Sequence, residues 1–507
     1  MSDLTRRTLL GTAGALALGA AVPVTAGALP QRGPVPGRRA TLHRWARDTW
    51  RSMVAMTDPD SGLIADNIDG DLSEPSRNTS PTNIGGYLWS ILVAQRLGFI
   101  GDREATRRAN QTLETLLGME RHRPSGMYYN WYDPVDGAVL RRWPGSGDLI
   151  VPFVSSVDMG WLGAAAWAVR NSLPGARRRA DRLWDDYRWD VFFDPEFVRQ
   201  PGANYGGFYT EDPSAIRDPA DILKRPPLGG LGGPDIYYTK NHHYDTCVSE
   251  ARMVTYLGIM RGQIPGGAYY ATYRTFPPDW TWQELIPQGI TRTYLGVEVF
   301  NGTYSYGGQR VVPGWGGSMF EELMPDIFVP EEIWAPRSWG RNHPAHVRAQ
   351  QYHGLIDAGY GYWGFSPSNN PAGGYREYGV DALGLKPDGY FSDQENTDYL
   401  RDAPPTKYGD GVVTPHASFL AMMHTPNRAI ANLRKLERNF DAYGRGGFYD
   451  AIAVRSRQVS KRHLSLDQAM VLGALGNVAG DRVLQRSFAT GSALRIRSVI
   501  ALETFGT

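Results

Sequence analysis

Apolar residues recur at helical spacing over residues 41–56, 82–99, 102–120, 157–172, 175–190, 245–261, 343–358, 416–439 and 465–475, and long strand-like alternation is scarce. In "TNIGGYLWSILVAQRLGFI" Ile84, Leu88, Ile91, Leu92 and Leu97 mark one face, and Gly98 followed by Asp102 gives a stop and a fresh start. Helices paired in this way leave one face of each pair uncovered, so every pair needs neighbours on both sides. The expected fold is all-α, a toroid of helical hairpins. No composition break divides residues 37–507, which read as one domain.

Between the helices run long segments, 123–156, 193–243, 272–316 and 360–414, rich in Gly, Pro and aromatic residues. Loops of such length are functional or disordered, and aromatic content opposes disorder. They hold "MYYNWYDP", "ANYGGFYTED", "PDIYYTKNHHYD", "PPDWTWQEL", "NGTYSYGG" and "GYGYWGFSPSN", rings that would gather at the open end of a helical ring. With 15 Trp and 27 Tyr in 507 residues, aromatic surface remains after a large core is built. Sugars present flat C–H faces to such rings and hydroxyls to Asn, Asp, Arg and Glu. A formal net charge of +1 lacks the basic signature of a nucleic-acid binder and argues for a neutral or small partner.

The N-terminus "MSDLTRRTLLGTAGALALGAAVPVTAGALP" carries the pair Arg6 and Arg7, an apolar run from Leu9 to Val22 and a small-residue ending at Ala28. It reads as a twin-arginine export signal, too short for a stable membrane span, with an N-terminal anchor helix as the alternative. Residues 1–36, including the linker "PQRGPVPG", are set aside on this reading, and a periplasmic or extracellular location is expected. Cys247 is the only cysteine, so no internal disulfide forms; its apolar setting suits a small core residue.

Three acids lie in apolar surroundings, where desolvation raises a carboxyl pKa: Asp158 in "SSVDMGWLG", Glu250 in "VSEARMV" and Glu321 in "GGSMFEELMP". Glycoside cleavage needs two such groups across one bond. Each has a structural alternative. Asp158 follows two serines and suits a helix cap or first turn; Glu250 suits a buried ion pair with Arg252; one of Glu321 and Glu322 suits a solvated helix face. Adjacent His242 and His243 cannot chelate one metal at helical i, i+4 spacing, and no zinc-type Cys/His spacing follows, so no metal site is expected. "LGGLGGPD" lacks the Lys-Ser/Thr ending of a phosphate loop, and no G-x-S-x-G elbow is present.

In order along the chain, "YYNWYDPVDG", "FVSSVDMGWL", "YDTCVSEARMVTYLGIMRGQIP", "GWGGSMFEELMP", "YWGFSPSNN", "YREYGVDALGLK", "GDGVVTPHASFLAMMHTPNRAIANLRKLERN" and "GGFYDAI" resemble glucoamylase-like domains. The strongest likeness is to the transglycosylating domain of cyclic β-1,2-glucan synthases, with a more distant one to bacterial endo-β-1,2-glucanases. The resemblance spans roughly residues 40 to 490. It implies an (α/α)6 toroid acting on β-1,2-glucan without cofactor, by hydrolysis or transglycosylation. Glu250 would be one catalytic acid/base, with Asp158 or Glu321 as the other. Asn130, Trp131, Tyr132, Asp133, Trp161, Tyr244, Trp315, Trp363 and Ser366 would bind sugar, with Arg252 holding the surroundings of Glu250. Two positions depart from the pattern. Pro367 stands where the cyclic-glucan domains tend to have Glu, and Ser155 where the endo-glucanases place Asp. These departures keep two rivals open, a glycosidase of another polysaccharide such as an arabinan and a non-catalytic carbohydrate-binding toroid; a polysaccharide lyase on a similar toroid is a third.

Overall fold

The computed structural model describes Leu29 and residues 38–387, 390–394 and 408–506. Apart from Leu29, the expected signal and linker of residues 1–36 lie outside the described residues.

The helices fall into two kinds. Pro81–Arg96, Ser156–Ser172 and Ser465–Ala479 are buried on almost every face, as helices enclosed by others must be. Arg39–Ala55, Asp102–Gly118, Arg177–Asp186 and Pro426–Asn439 bury one stripe and wet the other, which marks an outer layer.

The enclosed helices stand side by side. Pro81–Arg96 lies between Ser156–Ser172 and Ser465–Ala479. Ser156–Ser172 then meets Arg252–Arg261, while Ser465–Ala479 meets Pro415–Ala421 and, through it, Met319–Leu323. The remaining gap is bridged by Arg252, whose guanidinium donates to the Glu321 and Glu322 carbonyls at 2.7 Å each. Close approach depends on small residues: a Cβ at Gly86 would stand 2.8 Å from the Ala469 methyl.

Serines fix where three of these helices, Pro81–Arg96, Ser156–Ser172 and Met319–Leu323, begin. Ser80, Ser155 and Ser318 accept from the N–H groups of Asn83, Asp158 and Glu321, satisfying donors that a helix start leaves open. These N-terminal ends face one cavity, described below.

Several expected elements differ in extent. The 245–261 stretch is helical only over Arg252–Arg261, because the Ser249 hydroxyl takes the Ala251 N–H and turns the chain ahead of it. Glu250 thus sits on a turn, while Arg252 begins the helix. The 416–439 stretch breaks into Pro415–Ala421 and Pro426–Asn439, since the residue before Pro426 is steered out of helical backbone. The 343–358 stretch is a helix over Trp339–Tyr352 that widens into a π-helical turn, His353–Asp357. The all-α expectation is corrected as well. The long segments hold small antiparallel sheets, among them Gln288–Tyr294, Val297–Tyr306 and Gln309–Val311, and a four-stranded sheet containing Phe153–Ser155 and Gly207–Tyr209. Most of these strands run for two to four residues, too short for alternation to show in the sequence. Among the described residues no helix is long and apolar enough to cross a membrane.

Candidate active site

A cavity of about 1450 Å³ opens over the N-terminal ends of the enclosed helices. Asn130, Trp131, Asp158, Tyr244, Glu250, Trp315 and Glu321, all expected from the sequence, line it together. The loops add Tyr273, Trp280, Trp282, Tyr375 and Tyr390, so aromatic rings flank a group of acids.

Among the described residues, Glu250 is reached by one uncharged donor, the Trp161 indole N–H, 3.0 Å from Oε2. Removal from water raises its carboxyl to about 8; the Trp161 bond opposes this, and the negative charges of Asp158, Glu321 and Glu377 reinforce it. At neutral pH Glu250 therefore carries a proton in a site open to a ligand. That is the state a general acid requires.

Asp158 occupies the first turn of Ser156–Ser172, but the helix is capped by Ser155, which frees the Asp158 carboxylate to face the cavity. The Thr82 hydroxyl donates to its Oδ1 at 2.6 Å, and the Asn130 amide, turned with its nitrogen inward, donates to Oδ2 at 2.7 Å. Desolvation raises the Asp158 pKa, and hydrogen bonds from Thr82, Ser155 and Ser80 oppose that rise. Its charge in turn favours the protonated form of Glu250.

Glu321 is differently placed. Its carboxylate accepts from the Gly316 N–H at 2.9 Å, the Ser318 N–H at 3.1 Å and the Ser318 hydroxyl at 2.9 Å, while Ser318 caps the Glu321 N–H in return. This is a capping box, and it commits Glu321 to holding its loop. Glu322 is not solvated either: it is fully buried and bonded to His343 at 2.6 Å.

Other expected sugar contacts lie behind the cavity wall. Tyr132 is buried, donating to the Glu120 carbonyl and accepting from the Tyr129 N–H. Asp133 pairs with Arg77 at 2.6 Å and turns its own loop through the Val135 N–H. Trp161 is fully buried, a donor to Glu250 and not a stacking platform. Trp363 is buried, and Ser366 accepts from the Phe320 N–H at 3.1 Å. Arg252 makes a bidentate pair with Glu331, both bonds at 2.8 Å, in full burial. It touches the Glu250 segment only through the Ser249 carbonyl, at 2.9 Å.

Beneath the cavity the pairing of Arg252 continues into a buried network. His343 lies 2.6 Å from Glu322 and 3.4 Å from Glu331, and their negative charges raise it against desolvation to about 10. Glu331 is lowered to about 2 by Arg252 and His343, again against desolvation. Two sets here, Asp326, Glu332 and His424, and Asp326, Glu331 and His343, bring ligand atoms within 4.8 Å of one another. Sequence spacing gave no sign of them, since the members of each set come from separate elements.

The sequence reading also passed over Glu377, although the motif "YREYGVDALGLK" contains it; no apolar setting singles it out. Asp66, bonded to Asn83 at 2.8 Å, and Asp194, paired with His243 at 3.0 Å, also line the cavity.

With this geometry in view, the chain resembles glucoamylase-like proteins. A Glycoamylase family model, described as "Putative glucoamylase", matches residues 286–491, and a model of a protein of unknown function, DUF3131, matches residues 44–196. More particularly, the chain is similar to cyclic beta-(1,2)-glucan synthase NdvB of Rhizobium meliloti (strain 1021), at 23% identity over 576 aligned residues. That match covers 91% of this chain but only 18% of the length of NdvB. Two solved structures share the fold. The endo-beta-1,2-glucanase of Chitinophaga pinensis, with sophorotriose and glucose, is 13% identical at a TM-score of 0.63, covering 91% of this chain and 98% of that one. The endo-beta-1,2-glucanase of Talaromyces funiculosus, with sophorose, is 13% identical at 0.61, covering 92% and 91%.

Proposed function

We propose that this chain is an exported glycoside hydrolase that cleaves a β-linked glucan, with β-1,2-glucan as the substrate. The observation that carries the reading is Glu250: a carboxyl held protonated near neutral pH, with no cationic partner among the described residues, in an aromatic-lined cavity large enough for several sugar rings. Glu250 delivers its proton to the glycosidic oxygen as the bond to the anomeric carbon breaks, and a second cavity carboxylate acts on the other face of the sugar. Asp158 keeps Glu250 protonated through its charge and presents a hydrogen-bonding edge to sugar hydroxyls. Similarity to NdvB and the fold shared with two endo-beta-1,2-glucanases support the choice of linkage. The enclosed and outer helices are read as the two layers of an (α/α)6 toroid, one catalytic domain over residues 37–507. The twin-arginine segment supports export, to the periplasm or outside the cell.

Purified wild type and Glu250→Gln should be offered a panel of linkage-defined polysaccharides, including linear β-1,2-glucan, other β-glucans and arabinan. Wild type is expected to release reducing ends from β-1,2-glucan, and Glu250→Gln to release none. Release from a different polysaccharide alone would replace the substrate. Binding without release over days would make the chain a carbohydrate-binding protein.

A further inference from the structure

Three acids add their charge to Glu250: Asp158, Glu321 and Glu377. Asp158 is held by Thr82 and Asn130, and Glu321 by its capping box. Among the described residues, no hydrogen bond or ion pair engages the Glu377 carboxylate, although it lines the same cavity and is exposed. Its position is set by a short hairpin. Ser368 pairs with Arg376 and Asn369 with Tyr375 in antiparallel register. One step further along that register, Glu377 falls opposite Pro367, which also lines the cavity and has no acid to offer. The hairpin is pinned from behind, because the Asn369 N–H donates to Asp450 at 2.7 Å.

We propose that Glu377 is the second carboxylate of the reaction, the base that activates water against the anomeric carbon while Glu250 protonates the leaving oxygen. This rests on the hydrolase reading above. Glu377 takes one proton from water, the water oxygen bonds to the anomeric carbon, the glycosidic C–O bond breaks, and the departing oxygen takes the Glu250 proton. Both carboxyls return to their starting states by exchange with solvent. A free, solvent-facing carboxylate suits this role, because it can hold a water without first surrendering a protein partner. An acid on the strand facing position 367 also reaches the site from where Pro367 cannot. Water attack opposite the departing group inverts the anomeric centre, so a β-linkage yields an α-product first.

Three measurements on linear β-1,2-glucan test the assignment. Glu377→Gln should lose at least about a hundredfold in kcat with KM and thermal midpoint close to wild type. Sodium azide should restore turnover to Glu377→Ala and give an α-glycosyl azide, a result that a merely structural role cannot produce. Proton NMR of the first wild-type product should show the α-anomer. Glu377→Gln within about threefold of wild type while Glu250→Gln is inactive, a β-anomer as first product, or a Glu377→Ala that azide does not revive would each overturn it. If Glu250→Gln retains activity, the hydrolase reading fails and not this assignment alone.

Discussion

Glu250 and Glu331 are both carboxylic acids removed from water, and their protonation states are opposite. Glu331 lies against Arg252 and His343 and is lowered to about 2. Glu250, two residues from Arg252 in sequence, has an indole N–H and three negative neighbours and is raised to about 8. Burial acts the same way on both; the presence or absence of a cation decides the sign. The lower region spends its charges on holding elements together, and the cavity region keeps one acid uncompensated. Such an arrangement costs stability and is retained where chemistry needs a proton near neutral pH.

The comparison breaks first at Glu250. Glu250→Gln should lower turnover by roughly 10²- to 10⁴-fold, as removal of a general acid does, with the circular dichroism spectrum unchanged. It should also unfold at higher temperature than wild type near pH 7 and at the same temperature near pH 4. The sign follows from a folded pKa above the unfolded one: below about 4.5 both states are protonated, and between about 4.5 and 8 the unfolded state ionises while the folded state resists.

Arg252→Ala tests the other half. It leaves Glu331 and three carbonyls without their buried donor and should cost about 3 to 5 kcal/mol in denaturant unfolding. Because the Glu331 pKa is depressed, its stabilisation is present above about 4.5 and fades as pH falls toward 2. The acid limb of the wild-type stability curve should therefore flatten in Arg252→Ala.

A smaller effect sharpens the account of Glu250. Activity should decline as pH rises through about 8, where the acid loses its proton. Asp158→Asn removes one of the negative neighbours of Glu250 and should move that alkaline limb to lower pH. An unmoved limb would mean that the Asp158 charge does not set the Glu250 value. The smallest expected change is Glu321→Gln, which weakens a capping box and should cost about 1 to 2 kcal/mol, measured by thermal unfolding.

Much of this was legible in the sequence. Helical periodicity located most of the helices, but the 82–99 run, read as having one apolar face, is buried on almost every side, while 102–118 buries a single stripe. The aromatic loops and the acids Asp158, Glu250 and Glu321 meet in one cavity, as motif order implied. Pairing was not legible. Arg252 lies beside Glu250 in the chain yet bonds Glu331, 79 residues on, since the turn at Ser249 sends the two side chains to different regions. Tyr132, Trp161 and Trp363 have the composition of sugar platforms but face the core. Glu377 has an undistinguished local sequence, and only hairpin register brings it to the cavity.

The most direct test of the central claim is the protonation state of Glu250 itself. Infrared difference spectra of wild type minus Glu250→Gln, recorded from pH 5 to pH 9, isolate its carboxyl. The account predicts a protonated C=O stretch that persists through pH 7 and disappears near pH 8. A band already absent at pH 6, leaving only the carboxylate, would contradict it.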